Sequence, residues 1–335
     1  MDTLKPPHHN RGFRSYPVSM EQLCAYTKEN TRHVNLEGPH IAWGIVRFIV
    51  WIANLLSWKT AYGIGRALGL LMFHLRIRRK VALTNLDIVY GDLKSADEKE
   101  RIYKASLINF GRVMINYLRL PYQPPDFWRT NCTFKNESAL RALLARNKGA
   151  IFVCGHIGMM DLAGGAVGMS GYPVAAVAKK MKNTAIDKFI VDSRTKMNFG
   201  TIPHKKSIRR ILKGLKLGES ILLVMDQNMK RRESIFIDWM GRPASVMPSA
   251  AFLVRKTGAP VLTGFLRQTG PDLFVSEISN EVEWTPIPED PDREILVNTQ
   301  KQADAVQQLI YENPELWFWI HRRWKVQPQG MQRPY

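Results

Sequence analysis

The chain has 335 residues, 45% of them hydrophobic, enough to bury one large core or two small ones. Lys and Arg outnumber Asp and Glu by 48 to 29, a net charge of +19, which points to an anionic partner: nucleic acid, anionic lipid or an acidic carrier protein. The three cysteines, Cys24, Cys132 and Cys154, show no Cys-x-x-Cys spacing, which argues against a disulfide framework or a zinc site and fits a reducing compartment.

Residues 1 to 40 lack the apolar core and small-residue cleavage site of a secretory signal. They read as a polar, Pro-containing tail in which His8, His9 and His33 are solvated. Residues 41 to 58, "IAWGIVRFIVWIANLLSW", form an 18-residue stretch whose only charge is Arg47. That is about the shortest run able to cross a hydrocarbon core, and Trp43, Trp51 and Trp58 suit a helix that spans the membrane or one that lies in its interface. A second apolar stretch, 61 to 75, ends in the basic cluster "RIRRK". Residues 41 to 75 are therefore predicted to anchor the chain to a membrane, with the basic cluster on the cytoplasmic side.

Beyond the anchor, "SADEKERIYKASLINFGRVMINYLRL" (95 to 120) opens with Ser95 and an acidic first turn, the marks of a helix start. "ESALRALLARNKG" predicts a second helix, stopped by Gly149. Short apolar runs follow: "AIFVCG", "VAAVAK", "SILLVMDQ", "SIFIDWM", "APVLTGFLRQ" and "LFVSEIS". Helical periodicity covers 184 to 198, 207 to 217, "PSAAFLVRKTG" up to Gly258, and roughly 292 to 312. Strands alternating with helices predict an α/β fold, a mixed sheet flanked by helices, over residues 76 to 335.

"FVCGHIGMMDLAGG" places His156 where a strand gives way to a helix, the place at which ligands gather in such sheets. Asp161 follows five residues later, a rotation of about 140° along a regular helix. The two side chains can meet only if His156 lies in the turn before the helix. Gly155 and Gly158 allow that turn, and Gly158 also lets a substrate approach the backbone. A carboxylate on one imidazole nitrogen sets the tautomer and raises the basicity of the other. The free nitrogen could then deprotonate an alcohol attacking an acyl thioester, with amides at the helix start stabilising the oxyanion. No third metal ligand stands nearby.

The same stretch resembles the His-x-x-x-x-Asp/Glu motif of the lysophospholipid and glycerophosphate acyltransferase superfamily. From about residue 58 to 325 the chain is more closely similar to the lipid A biosynthesis acyltransferases, the late enzymes that add secondary chains to Kdo-lipid A. "RRKVALTNLDIVYGD" resembles their Arg-rich, Asn-Leu segment. "VMDQN" and "SIFIDWMGRPASVMPSAAFLVRKTGAPVL" resemble their Asp-Gln and aromatic-Gly-x-Pro-Ala stretches, and "NPELWFWIHRRWK" their closing Pro-Glu-x-Trp segment. Two departures stand out: Met159-Met160-Asp161 where the family commonly has Asn-Trp-Glu, and Lys179-Lys180 where it often has Arg.

The resemblance implies a membrane-attached bacterial acyltransferase whose catalytic domain covers residues 76 to 335, on the cytoplasmic side of the inner membrane. It would move a fatty acyl chain from acyl carrier protein or acyl-coenzyme A to a hydroxyl of a lipid A precursor, with no cofactor and no metal. His156 would be the general base and Asp161 its orienting partner. Residues 178 to 216 hold twelve Lys or Arg against Asp187 and Asp192. Among them Arg194, before a turn at Gly200, is the first choice for contact with the anionic glycolipid, with Lys179 and Lys180 beside it. Asp226 and Gln227 either position the acceptor or brace the sheet, and His321, Arg322 and Arg323 are mainly structural, with phosphate contact as the alternative. A glycerophosphate, lysophospholipid or other glycolipid acceptor is the alternative within the superfamily. Nucleic-acid binding would explain the charge but not the anchor or the histidine, and no helix-turn-helix, RNA-binding or zinc-finger signature is present.

Overall fold

A computed structural model describes residues 19–34, 41–146, 148–205 and 207–335; His8 and His9 lie outside them. The segment expected to be a polar tail contains helix α1 (Met20–Glu29). Its N-terminus is closed by a capping box, Ser19 accepting from the Gln22 amide while the Gln22 side chain accepts from the Ser19 amide. The chain then runs onto the main body. Arg32 donates its amide to Thr201 O at 2.9 Å, and its guanidinium makes a two-pronged pair with Asp187 at 2.8 and 2.9 Å.

The apolar stretch 41 to 58 is not one helix. Helix α2 (Ile41–Leu55) stops, and Ser57 caps α3 (Trp58–His74) by accepting from the Thr60 amide at 3.0 Å. The 15 residues of α2 extend about 22 Å at 1.5 Å per residue, short of a hydrocarbon core of about 30 Å. Among the described residues no helix is long and apolar enough to cross a membrane. The spanning form of the expected anchor is thereby corrected. What remains is an apolar helix with one face open, Ile41 being 74% exposed and Leu55 66%.

Helices α4 (Arg79–Tyr90) and α5 (Ala96–Arg119) follow, α5 starting at the predicted Ser95 cap. Helix α3 lies against α5 at glycines: a Cβ on Gly69 would meet Ile108 Cα at 2.3 Å, and one on Gly111 would meet Gly65 O at 2.3 Å. Only the absence of side chains permits that approach. Arg119 of α5 donates to Ala53 O and Leu56 O, both at 2.7 Å, so the two apolar helices are tied to α5.

The rest of the chain alternates: α6 (Pro125–Asn131), β1 (Cys132–Lys135), α7 (Glu137–Leu144), β2 (Ala150–Cys154), α8 (Met160–Met169), β3 (Val174–Ala178), α9 (Thr184–Lys196), β4 (Phe199–Pro203), α10 (Ile208–Leu217), β5 (Ser220–Val224), β6 (Ile235–Trp239), β7 (Arg242–Val246), α11 (Ser249–Thr257), β8 (Val261–Leu262), β9 (Gly264–Gln268), β10 (Phe274–Ile278) and α12 (Pro291–Glu312). Five strands form a parallel sheet in the order β4-β3-β5-β2-β8; β1, β10 and β9 form a second sheet, and β6 with β7 a hairpin. Strand β2 is buried on both faces. Ile151 and Val153 enter one core with α4, α5 and α12, whereas Ala150, Phe152 and Cys154 enter the other with α8 and the second sheet. The fold is α/β, as predicted.

Three local expectations differ. Gly200 is not a turn but lies inside β4, where a Cβ would meet Thr27 Cγ2 at 2.8 Å, so α1 covers that sheet edge closely. "APVLTGFLRQ" is not one strand. It breaks at Thr263, sending β8 to the parallel sheet and β9 to the second sheet. The helix expected to reach Gly149 ends at Leu144.

Candidate active site

The parallel register of β2 and β5 pairs Cys154 with Val224, and the Met225 amide extends the ladder to Cys154 O at 3.0 Å. His156 and Asp226, each two residues past that pair, therefore meet above the carboxyl ends of adjacent strands. His156 Nδ1 lies 2.8 Å from Asp226 Oδ1, and the His156 amide donates to Asp226 Oδ2 at 2.7 Å. The indole of Trp317 donates to the same Oδ2 at 2.8 Å. Burial would raise the Asp226 pKa. The imidazole's charge and three hydrogen bonds outweigh it and hold the carboxyl down at about 2. Burial likewise disfavours a charged His156, but Asp226, with a smaller contribution from Asp161, raises the imidazole above its ordinary value.

With Nδ1–H given to the carboxylate, Nε2 carries the lone pair and faces the Gln227 amide at 3.0 Å. The C-terminal segment completes the collar. Phe318 donates its amide to His156 O at 3.1 Å, Gly158 donates to Leu316 O at 2.9 Å, and Ile157 and Trp317 form an antiparallel bridge.

The partner expected for His156 is elsewhere. Asp161, in the first turn of α8, accepts from Arg194 Nε at 3.1 Å and Nη2 at 2.5 Å, and from the Tyr117 hydroxyl. Asp161 adds to the field at the imidazole, while the carboxylate bonded to the ring is Asp226. Arg194 also donates to Thr201 Oγ1 at 3.3 Å and is buried. It braces Asp161, and it also contributes to the wall of a cavity that His156 lines. Gly158 lines a cavity beside His156 and is also required by the backbone. Its φ is +53°, and a Cβ there would meet Leu266 O at 2.5 Å. The amides of Gly158 and Met159 are taken by Leu316 O and Leu266 O, so neither serves as the expected oxyanion donor.

His156 and Met160 stand in the wall between two cavities. One, of about 140 Å³, is apolar and lies between α5, α8 and the C-terminal segment, lined by Phe110, Val113, Met159, Leu162 and Phe318, with Tyr117 and Asp161 at its side. The other, of about 490 Å³, lies between α10 and α11. Lys179, His204 and Gln227 share its wall with Ile208, Ile211, Phe252 and Met247. Lys180 is exposed next to Lys179.

Residues 28–326 match the family described as bacterial lipid A biosynthesis acyltransferase. The chain belongs to that family. It is an acyltransferase, and it is similar to the lipid A biosynthesis palmitoleoyltransferase of Escherichia coli, with 22% identity over 293 residues, 84% of this chain and 90% of the relative. It is similar to the lipid A biosynthesis lauroyltransferase of the same organism at 22% over 292 residues, 86% of this chain and 92% of the relative. A lipid A biosynthesis acyltransferase of Haemophilus influenzae is 22% identical over 290 residues, 83% of this chain and 89% of the relative. Tyr117 and Trp317 of this acyltransferase were not singled out from sequence. Tyr117 sits 44 residues before the carboxylate it touches and Trp317 91 after, separations that no local pattern reports. Arg323, read as structural, is fully buried, stacked on Trp239 and bonded to Ser245 O at 2.9 Å.

Proposed function

We propose that this acyltransferase moves a fatty acyl chain from a thioester, on acyl carrier protein or coenzyme A, to a hydroxyl of a lipid A precursor, with His156 as general base and Asp226 as its orienting partner. The observation that carries the reading is the Asp226–His156 bond, which leaves Nε2 basic and turned toward the cavities. Nε2 takes the hydroxyl proton as the oxygen attacks the thioester carbonyl, and Asp226 stabilises the imidazolium that forms. When the C–S bond breaks, the leaving thiolate recovers that proton. The narrow apolar cavity suits hydrocarbon beside the reacting carbonyl. The larger one, with Lys179 in its wall and Lys180 beside it, suits a phosphate-bearing partner. The test offers purified protein one acyl donor with two acceptors, a lipid A precursor and glycerol phosphate. Turnover of the first and little of the second is expected, and the reverse preference would move the chain to the glycerophosphate alternative.

Membrane attachment on the cytoplasmic face of the inner membrane is part of the same proposal, through an interfacial α2. Phe48, Trp51 and Ile52 are exposed on it, and Arg47 can extend its stem along the apolar face while its charge reaches the headgroups. Phe48→Asp together with Ile52→Asp is expected to weaken sedimentation with phosphatidylglycerol-containing vesicles by at least about tenfold, since burial of one such side chain is worth about 1.5–3 kcal/mol. Unchanged binding would remove α2 from the membrane face.

A further inference from the structure

We infer that the Gln227 side-chain amide is a catalytic hydrogen-bond donor to the oxyanion formed during acyl transfer. This rests on the reading of His156 as general base. Two backbone amides just before α8 are engaged elsewhere: Gly158 donates to Leu316 O and Met159 to Leu266 O. Whatever the later amides in the first turn of α8 add, the Gln227 amide nitrogen already lies 3.0 Å from Nε2, at the place a substrate oxygen must take to lose its proton. The tautomer sets its orientation. Nδ1–H faces Asp226, so Nε2 needs a donor and the NH2 end of the amide points inward.

The loop that carries Gln227 is held on both sides. Met225 is bonded to Cys154 O, Asn228 Oδ1 accepts from the Val326 amide at 2.8 Å, and Met229 exchanges hydrogen bonds with Ser245 Oγ at 3.0 and 3.1 Å. Only the side chain, exposed in the larger cavity, is free to shift. When the acceptor hydroxyl takes the lone pair of Nε2, the displaced NH2 remains within reach of the neighbouring carbonyl oxygen. As the C–O bond forms, the carbonyl π electrons move onto that oxygen, the hydroxyl proton goes to Nε2, and Gln227 donates to the new negative charge. Collapse restores the C=O bond and expels the thiolate, which takes the proton from Nε2. A donor placed before the charge develops stabilises the transition state more than the bound substrates.

The experiment measures kcat and acceptor KM for Gln227→Ala and Gln227→Glu with a lipid A precursor and dodecanoyl thioesters of acyl carrier protein and coenzyme A, alongside His156→Ala and a thermal unfolding scan of each. Both Gln227 variants are expected to lose on the order of a hundredfold in kcat, with KM changed little and unfolding unmoved. The Glu variant keeps the shape but has no amide hydrogens, and its kcat is read on the alkaline plateau, where the imidazole is neutral despite the added charge, so that it separates donation from packing. If KM rises while kcat holds, Gln227 binds the acceptor and the inference fails. A gain in activity would make it a plug on Nε2, and retained kcat in Gln227→Glu would also overturn donation. Full activity in His156→Ala would instead overturn the general-base reading itself.

Discussion

His156→Ala is expected to lower kcat by about 10²–10⁴-fold, the usual worth of positioned general-base assistance, and Asp226→Asn is expected to fall in the same range. An amide at position 226 can accept from Nδ1–H only through one oxygen and can equally present its NH2, which moves the ring proton to Nε2 and removes the lone pair. The pH profile separates this from a packing defect. In the native protein Asp226 raises the His156 pKa against the lowering effect of burial. The base is protonated and idle below that raised value, so kcat/KM should climb with pH through a midpoint above the ordinary 6.5. Removing the Asp226 charge leaves burial acting with only the smaller Asp161 contribution. The imidazole then loses its proton at lower pH, and the acid limb shifts downward while the plateau falls. A plateau that falls without any shift of the limb would show that Asp226 only supports the loop, and a profile identical to wild type would dismiss the pair altogether.

The position of His156 between a strand and a helix could be read from sequence because its signal is local: an apolar run, a glycine turn and a helix start within a dozen residues. Its hydrogen-bond partner could not. Asp226 is 70 residues away and reaches the ring only because β2 and β5 become neighbours in register, although β3 and β4 come between them in the chain. Nothing in "SILLVMDQ" says which strand it will lie beside. Asp161 was the nearest acid in sequence, but the turn of α8 points it toward α5 and α9, whose Tyr117 and Arg194 hold it. The helices with clear end signals were legible to within a few residues, α5 from its Ser95 cap and α11 from the Gly258 that closes it. Strand β4 was not, since "FGTIP" is short and broken by Gly200, and what makes it a strand is pairing with β3 and cover from α1. The apolar stretch misled by its length: Ser57 caps a new helix inside it, and a cap is a weaker sequence signal than eighteen nearly uncharged residues.

Arg194→Ala is expected to act on stability before it acts on substrate. Arg194 and Asp161 have side chains only 9% and 14% exposed and are paired at 2.5 Å, and the carboxylate keeps only the Tyr117 hydroxyl when the guanidinium is removed. Breaking a buried pair from one side typically costs about 3–5 kcal/mol because an uncompensated charge stays inside. The urea midpoint should fall accordingly. Adding Asp161→Asn to Arg194→Ala should recover a substantial part of the loss, since the amide carries no charge and can still accept from Tyr117, and the recovery measures how much of the penalty is the stranded carboxylate. Asp161→Asn alone should cost less than Arg194→Ala, because a buried guanidinium retains Thr201 and its stacking on Phe199. An acceptor-binding arginine behaves in the opposite way: KM rises, the midpoint stays, and the second substitution rescues nothing. That outcome would return Arg194 to the substrate and leave the burial of Asp161 against Tyr117 to be explained by packing alone.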